Sequence, residues 1–131
     1  MNGETSNIKI LLVEDDKALA ITISNLLRVK GYEVTHAGDG AAGIQKAFAL
    51  LPDLILCDIS MPNLDGYQML EYMNNNGIEI PLIFMSDLSG ASYETKGLQM
   101  GAAEYIQKPI DKNLLLLLVE KVLKLNGQAE K

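Results

Sequence analysis

Four short stretches of this chain place side chains suited to charged-oxygen chemistry directly behind apolar or strand-like runs. Glu14-Asp15-Asp16 follows the run at 8–13, Asp58 follows 54–57, Ser86 follows 82–85, and Lys108-Pro109 follows 104–107. Taken singly, an acid behind a strand is an ordinary helix cap or turn former. Gathered at one edge, the same groups do more. Like charges about 4 Å apart repel by about 4 kcal/mol per pair at an effective dielectric of 20, so Glu14, Asp15 and Asp58 in one cluster need a counter-charge. Oxygen-only ligands suit a hard divalent cation, and two carboxylates with room left for water match Mg²⁺ better than a dedicated Ca²⁺ cage. Lys108 supplies the remaining positive charge. A carboxylate with a cation, a hydroxyl and a lysine beside it is equipped to receive a phosphoryl group, whose equatorial oxygens each need compensation during in-line transfer. Asp58 is the candidate nucleophile.

The elements that must position these residues are legible in the hydrophobic pattern. The nearly continuous apolar runs at 8–13, 54–57 and 82–85 predict strands buried on both faces of a parallel sheet. Weaker strands fit 33–37 and 104–107. Between Val13 and Tyr32 the residues Leu19, Ile23, Leu26 and Leu27 keep one helical face, and Gly31 stands where a helix commonly stops. Further helices fit 41–51, 66–75, 91–100 and 112–125. A strand-helix unit repeated in this way, with right-handed crossovers, predicts an α/β fold: a doubly wound (βα)5 domain with a five-stranded parallel sheet in the order 2-1-3-4-5. Ligands of such sheets bind outside the carboxyl ends of the strands where the winding reverses, here between strands one and three. The polar groups after the strands, Glu14-Asp15-Asp16, Asp58, Ser86 and Lys108, all fall at that edge.

Composition narrows the function classes. With 131 residues, 48% of them apolar, the chain reads as one domain able to bury roughly two-thirds of its unfolded surface. The domain is expected over 1–131 with an ordered core at about 7–126, the ends carry no pattern, and no output domain is expected. A net charge of -6 without any Lys/Arg block argues against direct nucleic-acid or anionic-membrane partners. The longest apolar run, 114–119, falls far short of the ~20 residues of a membrane-spanning helix. Cys57, the lone cysteine, has no intramolecular partner, and no leader-like segment opens the sequence, so a cytoplasmic location is expected. Strand alternation points Cys57 away from the Asp58 edge and into the core.

Over nearly its full length the chain resembles the CheY-like receiver domains of bacterial two-component response regulators. The matching motifs are Val13-Glu14-Asp15-Asp16, Cys57-Asp58-Ile59-Ser60-Met61-Pro62, Asp65-Gly66, Met85-Ser86, Gly101-Ala102 and Tyr105-Ile106-Gln107-Lys108-Pro109. The resemblance implies a flavodoxin-like sheet and a signalling switch that catalyses only its own phosphorylation and slow dephosphorylation. Asp58 would accept a phosphoryl group from a phosphohistidine on a sensor histidine kinase or phosphotransfer protein. Asp15 and Asp58 would bind Mg²⁺ directly, Glu14 through water, and Ser60 through its backbone carbonyl. Lys108 would pair with the phosphoryl oxygens, and Pro109 is placed where receivers commonly carry a cis peptide bond. The Ser86 hydroxyl would turn toward the phosphate, and Tyr105 would swing from exposed to buried, remodelling the face of helix four, strand five and helix five. An output protein or domain, or a second copy forming a homodimer, would read that face. Asp16 is expected to lead into the first helix, where a carboxylate suits the positive end of the dipole.

Some residues depart from the family pattern or stand outside it. Asp87 stands where receivers usually carry a small residue; facing inward it would slow phosphorylation and hydrolysis by repelling the phosphoryl group, and facing outward it would cap the helix starting near Gly90. An inward Asp87 that blocks phosphorylation would make the domain a pseudo-receiver scaffold. Leu88, apolar where many receivers have a polar residue, would leave the attacking water unoriented and prolong the phosphorylated state. If Leu115, Leu118, Val119 and Val122 face the core, Leu117 points outward, either as an ordinary exposed leucine or toward a partner. His36 reads as a surface or half-buried strand residue with no catalytic role. A small aspartyl-phosphate phosphohydrolase would need an Asp-x-Asp pair after its first strand, and a flavin carrier would need a Ser/Thr/Gly-rich phosphate loop there. This chain has neither.

Overall fold

The computed structural model describes residues 8–88 and 90–127. Strands and helices alternate as β1 (Lys9–Val13), α1 (Lys17–Val29), β2 (Glu33–Ala37), α2 (Gly40–Leu50), β3 (Leu54–Asp58), α3 (Gly66–Asn75), β4 (Leu82–Ser86), α4 (Ala91–Gln99), β5 (Glu104–Gln107) and α5 (Lys112–Leu125). All four strand pairings are parallel and the order is β2-β1-β3-β4-β5, as the alternation predicts. Two strands run one residue further than the apolar runs. The ladder continues through Asp58 paired with Met85 and Ser86 paired with Gln107, so both polar residues belong to their strands.

The two-residue period of the strands sorts the core into two layers. Ile10 and Leu12, Leu54 and Leu56, Ile83 and Met85, and Ile106 face α1 and α5, packing on Ile23, Leu27, Leu115, Val119 and Leu123. Leu11 and Val13, Ile55 and Cys57, and Leu82 and Phe84 face the other way, against Ala47 of α2 and Met69 and Met73 of α3. The same parity carries past the strand ends. Glu14, Asp58 and Lys108 continue the α1/α5 side, whereas Ser86 and Tyr105 continue the side of α3 and α4.

Four helices start on an aspartate. Asp16, Asp39, Asp65 and Asp111 each accept a hydrogen bond from the backbone N–H three residues on, and Asp65 and Gln68 form a reciprocal capping box. The expected role of Asp16 is thereby met. Asp87 does not cap α4: the N-cap is Gly90, without a side-chain bond, and Asp87 lies exposed upstream in the loop. Gly90 itself has φ +111°, a conformation that suits glycine.

α4 is thinly attached, with Gly97 its one buried residue, set where a Cβ would come within 3.0 Å of the Phe84 ring. On α5, Leu115, Val119, Val122 and Leu123 are buried and Leu118 packs half-buried beside them, while Leu117 is 61% exposed. No helix among the described residues is long and apolar enough to cross a membrane.

Candidate functional site

The carboxyl ends of β1, β3 and β5 converge as expected. One carboxylate oxygen from each of Glu14, Asp15 and Asp58 lies within 4.8 Å of the others. Glu14 is fully buried and Asp58 is only 3% exposed, whereas Asp15 faces solvent. Lys108 reaches in from beyond β5, its Nζ donating to Glu14 Oε1 at 3.0 Å and lying 3.4 Å from Asp58 Oδ1. The second Glu14 oxygen accepts the Asp16 N–H at 3.0 Å. Both oxygens of this buried carboxylate are therefore occupied, which ties the first loop to the lysine. The Lys108–Pro109 peptide is cis, as the resemblance implies.

Asp58 stays where it is because α3 begins almost on top of it. A Cβ at Gly66 would fall 2.5 Å from the Asp58 carbonyl oxygen and 2.9 Å from Ile59 Cα, so only glycine admits this approach. The Gly66 N–H donates to the Ile59 carbonyl at 2.9 Å, and the Ser60 N–H donates to Asp58 Oδ1 at 3.3 Å. Ser60 itself is exposed.

Burial, and next the Glu14 charge, push the Asp58 carboxyl up to about 7, against the opposing pull of Lys108 and the Ser60 N–H. For Lys108, burial pulls downward, but the hydrogen bonds and charges of Glu14 and Asp58 outweigh it and leave the ammonium above its ordinary value. The cluster thus carries more negative charge than one lysine neutralises. An oxygen-only donor set with excess negative charge and one solvent-facing ligand fits a hard divalent cation. Cys57, facing the opposite layer, is fully buried, and burial followed by the charges of Asp58 and Glu14 pushes its thiol far above the ordinary range.

Ser86 and Tyr105 form a second group on the α4 side. Ser86 is completely buried and its Oγ accepts the Leu88 N–H at 2.9 Å, so the hydroxyl is turned along its own loop. Tyr105, half-buried on edge strand β5, donates its hydroxyl to the Leu88 carbonyl at 2.8 Å. One loop residue, Leu88, is therefore held through its N–H by the serine and through its carbonyl by the tyrosine. Its side chain packs half-buried into the core layer beneath α3 and α4.

The response regulator receiver domain model matches residues 10–120, which take in every residue of both groups. The chain belongs to the response regulator receiver domain family. It is 38% identical over 109 residues to the transcriptional regulatory protein DltR of Streptococcus agalactiae, an alignment spanning 83% of this chain and 49% of that protein. The receiver domain thus spans about half the length of the curated relatives it matches. Among solved structures it superposes on the receiver domain of Francisella response regulator 1452 with a TM-score of 0.89 at 30% identity, covering 92% of this chain and all of that one. Chemotaxis protein CheY4 of Vibrio cholerae superposes with a TM-score of 0.82 at 26% identity, over 88% of this chain and 98% of that one. The family is a signalling switch.

The predicted site residues thus fall into two groups, Glu14, Asp15, Asp58 and Lys108 in one and Ser86 and Tyr105 in the other, with Ser60 at the rim of the first. Two further residues back the first group without having been singled out for it, one in contact with Glu14 and the other behind it. His36, half-buried at the end of β2, lies with Nε2 2.8 Å from the Glu14 carbonyl oxygen, and Lys46 of α2 donates to the His36 carbonyl at 2.7 Å. Their role depends on the β1–β2 register, which pairs Leu12 with His36. No local pattern encodes that register.

Proposed function

We propose that the chain is a phosphoacceptor switch in which Asp58 receives a phosphoryl group from a phosphohistidine of a sensor kinase or phosphotransfer protein. An Asp58 carboxylate oxygen attacks phosphorus, the P–N bond to the imidazole breaks, and its electron pair leaves with the ring, giving an aspartyl phosphate and a free histidine. The observation that carries this reading is the buried Asp58 carboxylate held at 3.4 Å from Lys108 in a cluster with Glu14 and Asp15. Lys108 offers its ammonium to the incoming phosphoryl oxygens, and the Ser60 N–H orients the attacking carboxylate. Asp15 and Asp58, with Glu14 through water and the Ser60 carbonyl, would hold Mg²⁺. The ion offsets carboxylate charge and phosphoryl charge together when bound.

On the far side of the loop, the Ser86 hydroxyl exchanges its bond to the Leu88 N–H for one to the new phosphoryl oxygen. That change acts on the loop that Tyr105 also grips, and so on α4, whose burial is slight. The face of α4, β5 and α5, which includes the exposed Leu117, is the surface an output protein, an output domain or a second copy would read. Asp87 is exposed rather than buried beside Asp58, which favours an active acceptor over a pseudo-receiver. A cytoplasmic location accords with exchange with a kinase.

Intact mass after incubation with a small acyl phosphate tests this reading. A base-labile adduct that requires Mg²⁺ and disappears in Asp58→Asn is expected. Absence of that adduct, under conditions that modify a related receiver, overturns it.

A further inference from the structure

Asp15 is the most weakly held member of the acidic cluster. Its carboxylate is exposed and makes no hydrogen bond or ion pair among the described residues, so its direction depends on the backbone beneath it. That backbone is fixed from β2. The Glu14 N–H donates to the Ala37 carbonyl at 3.0 Å, and the Glu14 carbonyl oxygen lies 2.8 Å from His36 Nε2. A carbonyl oxygen only accepts, so Nε2 carries the proton in this contact. The carbonyl belongs to the peptide unit joining Glu14 to Asp15, and that unit is planar. Fixing its oxygen therefore fixes the direction in which the Asp15 N–Cα bond departs. β2 is an edge strand of the sheet, and Lys46, reaching from α2, closes the chain of contacts by donating to the outward carbonyl of His36 at 2.7 Å.

We propose that His36 is a positioning residue for the acidic site: its Nε2–H orients the Glu14–Asp15 peptide so that Asp15 faces the cation, and Lys46 steadies the strand segment carrying the imidazole. The inference rests on the metal reading given above. It extends the site by one layer, from α2 through β2 to the loop after β1. The logic is that of ligand supports generally, whose loss weakens metal binding by roughly 10- to 100-fold without removing a ligand.

Equilibrium binding of Mn²⁺, followed by the free-ion electron paramagnetic resonance signal, tests it without any phosphoryl transfer, since carboxylate sites accept Mn²⁺ as they do Mg²⁺. His36→Phe keeps a ring of similar size and loses the donor. It is expected to weaken Mn²⁺ binding about tenfold. His36→Gln restores an N–H of similar reach and is expected to bind within about twofold of the parent chain. Lys46→Met, which leaves the imidazole in place, is expected to fall between them and serves if His36→Phe does not fold. Thermal unfolding in EDTA accompanies each variant, so that loss of folded protein is not read as loss of affinity. Parent-like binding by folded His36→Phe overturns the proposal. So does equal weakening in His36→Gln and His36→Phe, which would assign the effect to shape. If the parent chain takes up no Mn²⁺ that Asp58→Asn removes, the metal reading itself fails and this inference falls with it.

Discussion

Replacing Asp58 by asparagine should make the metal-free protein more stable, although it removes the group on which the proposed function depends. The carboxyl is pushed from its ordinary 3.8 up to about 7, a net effect that already includes the favourable pull of Lys108 and the Ser60 N–H. Each pH unit corresponds to 1.36 kcal/mol, so ionised Asp58 costs the native state about 4 kcal/mol at a pH above both values. The sign follows from proton counts. Between pH 4 and 7 the folded protein holds a proton that the unfolded chain has released, so stability falls as pH rises through this window and levels off above it. Asparagine has the same shape and carries an oxygen for the Ser60 N–H but no charge. In EDTA at pH 8 the variant should gain up to about 4 kcal/mol, roughly 10 °C or more in thermal midpoint for a chain of this size. At pH 4 the gain should nearly vanish. Added divalent cation should narrow the gap from the other side, stabilising the parent chain by about 1.4 kcal/mol at ten times its dissociation constant and leaving the variant unchanged. Urea unfolding at both pH values, with EDTA and with Mg²⁺, supplies all of these differences. A variant no more stable than the parent at pH 8, or a gain independent of pH, would refute the account of a carboxylate disfavoured first by burial and then by the Glu14 charge.

Other perturbations read different parts of the same arrangement. Lys108→Met leaves Glu14 and Asp58 without their cation and should cost about 3–5 kcal/mol at pH 8, less at pH 5 where Asp58 is protonated; urea unfolding at both values measures it. Gly66→Ala forces a methyl to within 2.5 Å of the Asp58 carbonyl oxygen and should cost about 1–3 kcal/mol, with slower phosphorylation by an acyl phosphate as a second readout. Native Cys57 should resist aromatic disulfide reagents at pH 8 and react on unfolding, because its thiol is buried and pushed upward; a stoichiometric native reaction would contradict that placement. Leu117→Glu should change monomer stability by less than about 0.5 kcal/mol, and sedimentation with and without phosphorylation reports whether the exposed leucine serves self-association.

Much of the molecule is legible in the chain because its signals are local. Apolar runs such as 8–13 and 54–57 announce buried strands, and the one-to-one alternation with helical segments leaves few topologies other than the one observed. The acids and the lysine could be assigned to one edge because a parallel sheet delivers every strand's carboxyl end to the same side. Parity also located Cys57, since neighbours on a strand face opposite layers. The Asp87 alternatives were not separable in this way. Whether a loop aspartate caps a helix depends on where the helix starts, and here the N-cap position falls on Gly90.

The sequence alone therefore determined the fold, the sheet edge where chemistry gathers, and the identity of Asp58, Asp15, Glu14 and Lys108 as its groups. These follow from residue type and from periods of two and 3.6 residues, which act within one element. What the tertiary structure decided are relations between elements: Lys108, from beyond β5, on the Glu14 carboxylate after β1, and Tyr105 of β5 on the Leu88 carbonyl after β4. The same holds for His36, read from the sequence only as a surface or half-buried strand residue until the β1–β2 register sets its imidazole against the Glu14 carbonyl. Register and packing arise from contacts between residues far apart in the chain, and no window along the sequence contains both partners.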